Sequence, residues 1–327
     1  MMTKSSCYPW FDALWQHWLL RLSQKKLSHA YVLTGVAGLG KHQLLAQMAA
    51  SVLCHRQTET PCGQCSACHW LSVQTHPDYF IAEKTGSIGI DLVRQWREIC
   101  YQTPAVGQYK VMALPDCDRL TVPAANALLK ILEEPPESCI WLLSSSHCAE
   151  LPATLLSRCQ RLTCPPISLD QGAAWLQEKF PGHARLLLIQ ALQSVSGAPL
   201  AAQQWLQTES SAQRGLFYQQ LQQYFDKKVS SHAIYQALWP SLQDHLPCFL
   251  LAWVTDIIRA QELGEGAIIN REYAGLIQQM SARMQRHVIW QWYDQLLILK
   301  KQAITHVNFG YWFLQWLLQL DKECHCE

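Results

Sequence analysis

Short apolar runs alternate with segments of helical periodicity through the first half of the chain. Residues 29–34 form a β-leaning run, and a segment with apolar residues at helical spacing follows the glycine-rich residues 35–40. Further strands are predicted at residues 78–82, 110–114 and 140–144, with helices at residues 91–101 and 124–134 between them. This alternation predicts an α/β fold, a mainly parallel sheet with helices on both faces.

The pattern changes at the cysteine and the two prolines of residues 164–166. Beyond them the strand signals fade and short helical patterns take over. Further on, Gly and Pro become sparse, and apolar residues recur at helical spacing to the end of the chain. We expect three domains: an α/β domain over residues 1–165, a small helical domain over residues 166–205 and an all-helical domain over residues 206–327.

The composition is that of a folded protein with sizeable cores, since 49% of the 327 residues are hydrophobic. Lys and Arg number 26 against 25 for Asp and Glu, so a formal charge of +1 provides no global field for nucleic acid or an anionic membrane. Any contact with DNA would therefore be local or shared with partners. The first thirty residues form no signal-peptide core, and no apolar run reaches about 18 residues, so a cytoplasmic location is expected.

A phosphate-type loop is the first candidate site. Residues 35–42 spell Gly-Val-Ala-Gly-Leu-Gly-Lys-His, and they stand between a predicted strand and a predicted helix. In such loops, glycines such as Gly35 and Gly40 let backbone N–H groups surround phosphates, and a lysine such as Lys41 reaches the terminal phosphates. A Ser or Thr hydroxyl normally holds magnesium at the next position, where this chain has His42. The motif indicates a degenerate nucleotide site and leaves open whether nucleotide still binds.

The acidic pair that a hydrolytic site requires is also altered. The predicted strand 110–114 leads to Asp116, Cys117 and Asp118, which places Cys117 where a glutamate would orient the attacking water. A thiol cannot accept a water proton as a carboxylate does, and Asp118 is offset by one position. Two interpretations stay open, a residual acidic site and a simple turn after a strand.

Four cysteines lie within fifteen residues directly after the helix of the phosphate loop. They are Cys54, Cys62, Cys65 and Cys68. Four thiolates at this spacing, with Pro61 and Gly63 to make tight turns, predict a structural Zn²⁺ site in a module over residues 54–68. An iron–sulfur site, a redox pair and unligated thiols are the alternatives. Four protein ligands would leave no open position for catalysis.

The chain has fourteen cysteines in all. At 327 residues it is too long to be a small disulfide-rich scaffold. Cys324, His325 and Cys326 form a second group of potential ligands at the C-terminus. Three donors at a chain end, where order is usually lost, favour an unstructured tail over a metal site.

The residues now identify a family. The segment 29–41, the four-cysteine insert, the run from Asn126 through Glu133 and Glu134 to two prolines, and residues 156–159 (Leu-Ser-Arg-Cys) resemble bacterial DNA polymerase III clamp-loader subunits, which have the AAA+ fold. The resemblance implies a P-loop NTPase-like sheet with a zinc-binding insert, then a helical lid and an all-α collar for oligomerisation. It is close over the first 165 or so residues. Beyond them it depends only on the order of the domains and their helical character.

The resemblance also implies a role. His42, Cys117 and Leu200 stand where ATPase-competent members have the hydroxyl, the glutamate and a lid arginine, which is the pattern of a member that does not hydrolyse ATP. In the family, the arginine at the position of Arg158 is presented to the ATP of the neighbouring subunit.

By the same resemblance, Glu133, Glu134, Ser157, Arg158 and Cys159 are expected to contact a neighbouring subunit. The implied partners are the ATPase subunits and delta in a pentameric ring, with the sliding clamp and primed DNA reached through the complex. The chain would act there as a rigid stator.

Two other functions are kept as hypotheses. The first is an active AAA+ motor that uses Lys41 and Asp116, for which the isolated chain would turn over ATP. The second is an autonomous zinc-dependent nucleic-acid binder, and the near-neutral charge counts against it.

Overall fold

The computed structural model describes residues 7–56, 60–82, 86–148, 151–207, 210–242, 246–302 and 309–325. They form two compact units. The first comprises Met1–Ser168 with Ala198–Leu200, and the second comprises Leu169–Gly197 with Ala201–Glu327. The change at residue 168 lies near the predicted end of the α/β domain, while the boundary at 205 stays a prediction.

The described part of the first unit contains a five-stranded sheet in which every pair of neighbouring strands is parallel. Its strands are β1 Ala30–Thr34, β2 Tyr79–Ile81, β3 Lys110–Leu114, β4 Cys139–Ser145 and β5 Gln160–Thr163. They lie in the order β2-β3-β4-β1-β5. The predicted α/β fold class is confirmed, and four of these strands fall at the predicted places.

The strand β5 was not predicted from the sequence. It begins with Gln160 and Arg161, and it lies at the edge of the sheet beside β1. An edge strand pairs on one side and exposes polar side chains, so it lacks the continuous apolar run that marks the buried strands β1, β3 and β4.

Helices accompany the sheet in the first unit. They are α1 Asp12–Ser23, α2 Lys41–Leu53, α3 Ser66–Ser72, α4 Ile90–Cys100, α5 Val122–Glu133 and α6 Ala153–Leu156. Alternate residues of the strands, such as Met112 and Trp141, join an apolar cluster with residues of α4 and α5. The helix α2 packs on β3 and β4 as well. Because side chains alternate along each strand, a sheet covered on both faces needs apolar residues at successive positions.

Within its described residues the second unit contains helices and no strands. Its helices are α7 Leu169–Lys179, α8 Arg185–Ser194, α9 Pro199–Gln207, α10 Ser210–Phe225, α11 Ser231–Leu242, α12 Leu246–Leu263, α13 Ala274–Arg283, α14 Arg286–Gln302 and α15 Phe309–His325. The first two residues of α9 belong to the first unit. Residues of α7, α8 and α9 share one small apolar cluster. A larger apolar cluster runs through the six helices from α10 to α15.

Tryptophans hold the larger cluster together. Trp316 of α15 is 2% exposed, and its ring centroid lies 6.0 Å from that of Trp253 and 5.3 Å from that of Trp292. Aromatic rings contribute large buried areas, so these contacts are a principal source of stability in this helical region.

Replacing Trp316 with alanine is expected to lower the free energy of unfolding of this region by about 3–5 kcal/mol, because a large buried side chain is lost and a cavity remains. Denaturant unfolding followed by circular dichroism measures the change. Leu318→Ala on the same helix is the control, since Leu318 is 51% exposed and its removal should cost little. Equal losses in the two variants would contradict this account of the packing.

The C-terminal helix α15 continues through His325, so the expectation of an unstructured tail is wrong for Cys324 and His325. Cys326 lies outside the described residues. Among the helices that the structure describes, none combines the length and apolar character needed to cross a membrane.

Candidate functional site

The phosphate-type loop lies at the carboxyl edge of the parallel sheet. Residues 35–40 leave β1 and enter α2, and β1 pairs with β4, which in turn pairs with β3. Since parallel strands end at the same edge, the loop meets the residues that follow β3 and β4. Topology therefore brings Lys41, Asp116 and Ser146 into one place.

Lys41 is engaged within the chain itself. Its Nζ donates hydrogen bonds to the carbonyl oxygens of Gly35 at 2.8 Å and Val36 at 2.9 Å, and to Ser146 Oγ at 2.9 Å. An ammonium has three donors, and all three are matched by these acceptors. Lys41 is 4% exposed, and this burial lowers its pKa. To bind a phosphate, the lysine would have to exchange these bonds.

His42 contacts the aspartate that would hold magnesium. Its Nε2 lies 3.0 Å from Asp116 Oδ2, and the two side chains are about one third exposed. The hydrogen bond from His42 is the main cause that holds the Asp116 pKa below its usual range. The imidazole thus engages a carboxylate oxygen that would otherwise be available to a metal ion.

The two residues after Asp116 are held by packing and by hydrogen bonds within the chain. Cys117 is 1% exposed and belongs to the apolar cluster under α5, and burial raises its pKa well above the usual value. Asp118 accepts hydrogen bonds from Ser145 Oγ at 2.5 Å and from the N–H of Ser146 at 2.8 Å. Asp118 therefore ties the turn after β3 to the end of β4.

An N-terminal segment and Leu200 lie against the phosphate-type loop. Trp10 Nε1 donates to the Leu39 carbonyl at 2.9 Å, and the N–H of Leu200 donates to the Gly38 carbonyl at 3.1 Å. Gly40 has φ +94°, and a Cβ there would lie 2.4 Å from the ring of Tyr8. Only glycine satisfies both conditions. Leu200, at the predicted position of the lid arginine, thus places an apolar side chain beside the loop.

Arg158 lies at a second place, after the short helix α6. Its side chain is 32% exposed, and its Nη2 contacts Glu133 Oε1 at 2.7 Å. The same guanidinium donates from Nη1 to the carbonyl oxygen of Thr154 at 2.9 Å. Glu133 is the last residue of α5, so the segments 126–136 and 156–159 of the predicted site come together here.

The other predicted contact residues differ in exposure. Glu134, next to Glu133 in the sequence, and Ser157, next to Arg158, are both exposed. Ser157 Oγ donates to the Thr154 carbonyl at 3.0 Å. Cys159 is 8% exposed within the apolar cluster, where burial raises its pKa to about 12. Its side chain packs inside this cluster, at the end of the segment 156–159. The subunit contact itself stays a prediction for these residues.

The four cysteines of the predicted metal module converge. Their sulfur atoms all lie within 4.8 Å of one another, with 3.9 Å between Cys54 and Cys65 and 4.0 Å between Cys62 and Cys68. Zn–S bonds of about 2.3 Å in a tetrahedron would put neighbouring sulfurs about 3.8 Å apart. The four thiols of this chain therefore fit a metal ion such as zinc.

Backbone hydrogen bonds in this module favour a thiolate at Cys62, whereas burial raises the pKa of Cys68 to about 12. Cys54 caps the end of α2 and Cys65 caps the start of α3, so two helices fix the cluster. Backbone N–H groups of Cys62, Cys65 and Cys68 each donate to a cysteine sulfur at 3.4 Å. Hydrogen bonds from the N–H groups of Gln64 and Cys65 lower the pKa of Cys62 to about 6.

Sequence reasoning missed the serines at the end of β4. Ser145 and Ser146 join Asp118 and Lys41 to one network, and Ser144 Oγ accepts from the N–H of Asp116 at 3.2 Å. Their signal was three successive serines directly after a buried apolar run. Polar residues at the carboxyl end of a central parallel strand face the site that the sheet builds.

Two family descriptions match the chain. "DNA polymerase III, delta subunit" matches residues 11–168, and "DNA polymerase III, delta subunit, C terminal" matches residues 208–322. The first covers the sheet, the phosphate-type loop and Arg158. The second covers most of the helical region from α10 to α15.

Curated relatives match over nearly the whole length. The DNA polymerase III subunit delta' of Pseudomonas aeruginosa is 31% identical over 93% of this chain and 93% of the relative. That of Yersinia pestis is 32% identical over 92% of this chain and 91% of the relative. The DNA polymerase III subunit tau of Bacillus subtilis is 38% identical over 43% of this chain and 25% of the relative. The chain belongs to the DNA polymerase III delta' subunit family.

Proposed function

We propose that the chain is a clamp-loader subunit that hydrolyses no ATP itself and supplies Arg158 to ATP bound by a neighbouring subunit. The observation that carries the first half is the state of the phosphate-type loop. Lys41 binds the loop's own carbonyl oxygens, and His42 contacts Asp116 at 3.0 Å. The groups that should bind phosphate and magnesium are engaged with each other and with the backbone.

The chemistry of hydrolysis explains why this matters. Magnesium in a P-loop site needs the hydroxyl and the aspartate, and a carboxylate must orient the attacking water. His42 has no hydroxyl, and Cys117, which is 1% exposed, has a thiol in place of a carboxylate. Weak nucleotide binding through the backbone of Gly35 and Gly40 and through Lys41 is compatible with this chain, but the parts for water activation are missing.

The second half of the proposal depends on Arg158. A catalytic arginine given in trans must be exposed, and its guanidinium fork must match phosphate oxygens. Arg158 is the arginine of the segment 156–159, and its side chain is 32% exposed at the end of a short helix. A chain with no hydrolysis of its own and an arginine for its neighbour would act as a stator.

The proposed partners are the other clamp-loader subunits, with the ATPase subunits and delta in a pentameric ring. The family membership and the similarity to a tau subunit support assembly with such subunits. The formal charge of +1 supports contact with primed DNA and the sliding clamp through the complex rather than by this chain alone. Such an assembly belongs to the cytoplasm.

We also propose that the metal in the four-cysteine module is structural Zn²⁺. All four tetrahedral positions would be taken by Cys54, Cys62, Cys65 and Cys68, so no position remains for water or substrate. When bound, zinc would hold the module together through all four thiols. Its role in the complex would be structural, since the ion has no open coordination site.

The isolated chain is expected to show no ATP turnover above background. Steady-state assays of phosphate release with purified protein test this, with Lys41→Ala as the comparison. The competing hypothesis is an ATP-hydrolysing motor, and the positive φ of Gly38 and Gly40, which preserves the curled loop, is the feature in its favour. Turnover at a motor's rate that Lys41→Ala abolishes would establish that alternative and overturn the proposal.

A further inference from the structure

Arg158 is held by two acceptors from different elements. Glu133, at the end of α5, contacts Nη2 at 2.7 Å, and the Thr154 carbonyl of α6 accepts from Nη1 at 2.9 Å. Nη1 also lies 3.5 Å from Ser157 Oγ. A planar guanidinium with acceptors on two of its nitrogens has its orientation set, although the side chain is at the surface.

The contacts leave part of the guanidinium available. A guanidinium carries five N–H donors, and Nη1 uses its two on Thr154 and Ser157. Glu133 takes one donor of Nη2. Within the described residues, the Nε–H and the second N–H of Nη2 have no protein acceptor. These two donors suit a phosphate oxygen of another molecule without release of Glu133.

Helix stability does not account for a carboxylate at this place. A negative charge at the end of a helix opposes the helix dipole and slightly destabilises the helix. An exposed ion pair offsets this only weakly, so the contact contributes little to the stability of the folded state. Its larger effect is on Arg158, because it restricts a side chain with many rotamers.

We propose that Glu133 is a positioning residue for Arg158. By fixing the guanidinium before the neighbouring nucleotide arrives, it reduces the conformational freedom that Arg158 must lose in the transition state. Glu133 acts through Arg158 and touches no substrate. This inference rests on the proposed function, since it concerns how the arginine given in trans is oriented.

The test uses the assembled clamp loader in which only the subunit next to Arg158 can hydrolyse ATP. Glu133→Ala is expected to lower kcat about fivefold, the effect of one exposed ion pair, with KM for ATP unchanged. Glu133→Gln keeps an oxygen acceptor and is expected to recover part of that rate. Glu137→Ala removes the same charge from an exposed position four residues further and is expected to leave kcat unchanged.

A double substitution separates positioning from a direct subunit contact. In an Arg158→Ala background, Glu133→Ala is expected to have no further effect, because there is no arginine left to orient. An additional loss there, or a fall in assembly affinity, would overturn the positioning role. If Glu133→Ala behaves as Glu137→Ala while Arg158→Ala abolishes turnover, the inference fails and the proposed function stands. If Arg158→Ala itself changes nothing, the proposed function fails, and the inference fails with it.

Discussion

Replacing Arg158 with alanine is expected to remove nearly all ATP hydrolysis in an assembly where only the neighbouring subunit is competent. An arginine given in trans stabilises the charge of phosphoryl transfer and is commonly worth about 10³–10⁵ in rate. In an assembly with several competent sites, the expected loss is that of one site. Phosphate release in the presence of primed DNA and clamp measures the effect.

The defect should appear only in the complex. Because Arg158 is partly exposed and its pairing with Glu133 is a surface contact, the variant chain is expected to fold, bind its metal and assemble as before. Arg158→Lys keeps the charge but loses the planar fork, so it should recover little activity. Arg185→Ala, an exposed arginine of α8, is the matched control. Unchanged turnover in the Arg158→Ala assembly would remove Arg158 from the mechanism.

Loss of one cysteine ligand is expected to have the second large effect. Structural zinc provides about 10–16 kcal/mol of apparent binding free energy in small zinc modules, and a missing thiolate forfeits most of it. Cys65→Ser should therefore lower the zinc content from one ion per chain to nearly none. Limited proteolysis should then cut within residues 54–68. The sheet domain should stay folded, because the buried residues of α2 and the apolar cluster of the sheet lie outside the module.

Cys248→Ser is the matched control, because Cys248 is an exposed thiol outside the cluster. It should keep one zinc per chain in elemental analysis. Iron with visible absorbance in the parent protein would support an iron–sulfur site instead. Metal-free parent protein, purified without chelators, would favour unligated thiols or a redox pair.

Local patterns in the sequence were enough for much of the site. The strand, glycine loop and helix around Lys41 need only neighbouring residues, as do four cysteines within fifteen positions. The substitutions His42 and Cys117 are visible at fixed distances from the glycines and from the strand 110–114. The α/β fold, which is confirmed, could be predicted for the same reason, since short apolar runs alternate with segments of helical periodicity along the chain.

Distant contacts could not be predicted in this way. The bonds of Lys41 to Ser146 and of Asp118 to Ser145 depend on β4 lying between β1 and β3, which is a property of the strand order. Sequence spacing likewise gave no reason to pair Glu133 with Arg158, which are 25 residues apart. Both residues were expected to face a partner, and the structure shows that they also face each other.

Periodicity and motif spacing along the chain thus established the phosphate-type loop, its missing hydroxyl and carboxylate, and the four clustered thiols. The three-dimensional arrangement alone established that Lys41 of the loop and Asp116 after β3 are already engaged and that Arg158 is oriented. The physical reason is the sequence separation of the interacting residues. A turn, a helix or a cluster of nearby ligands depends on short stretches of chain, whereas a hydrogen bond between strand ends depends on how the whole sheet is ordered.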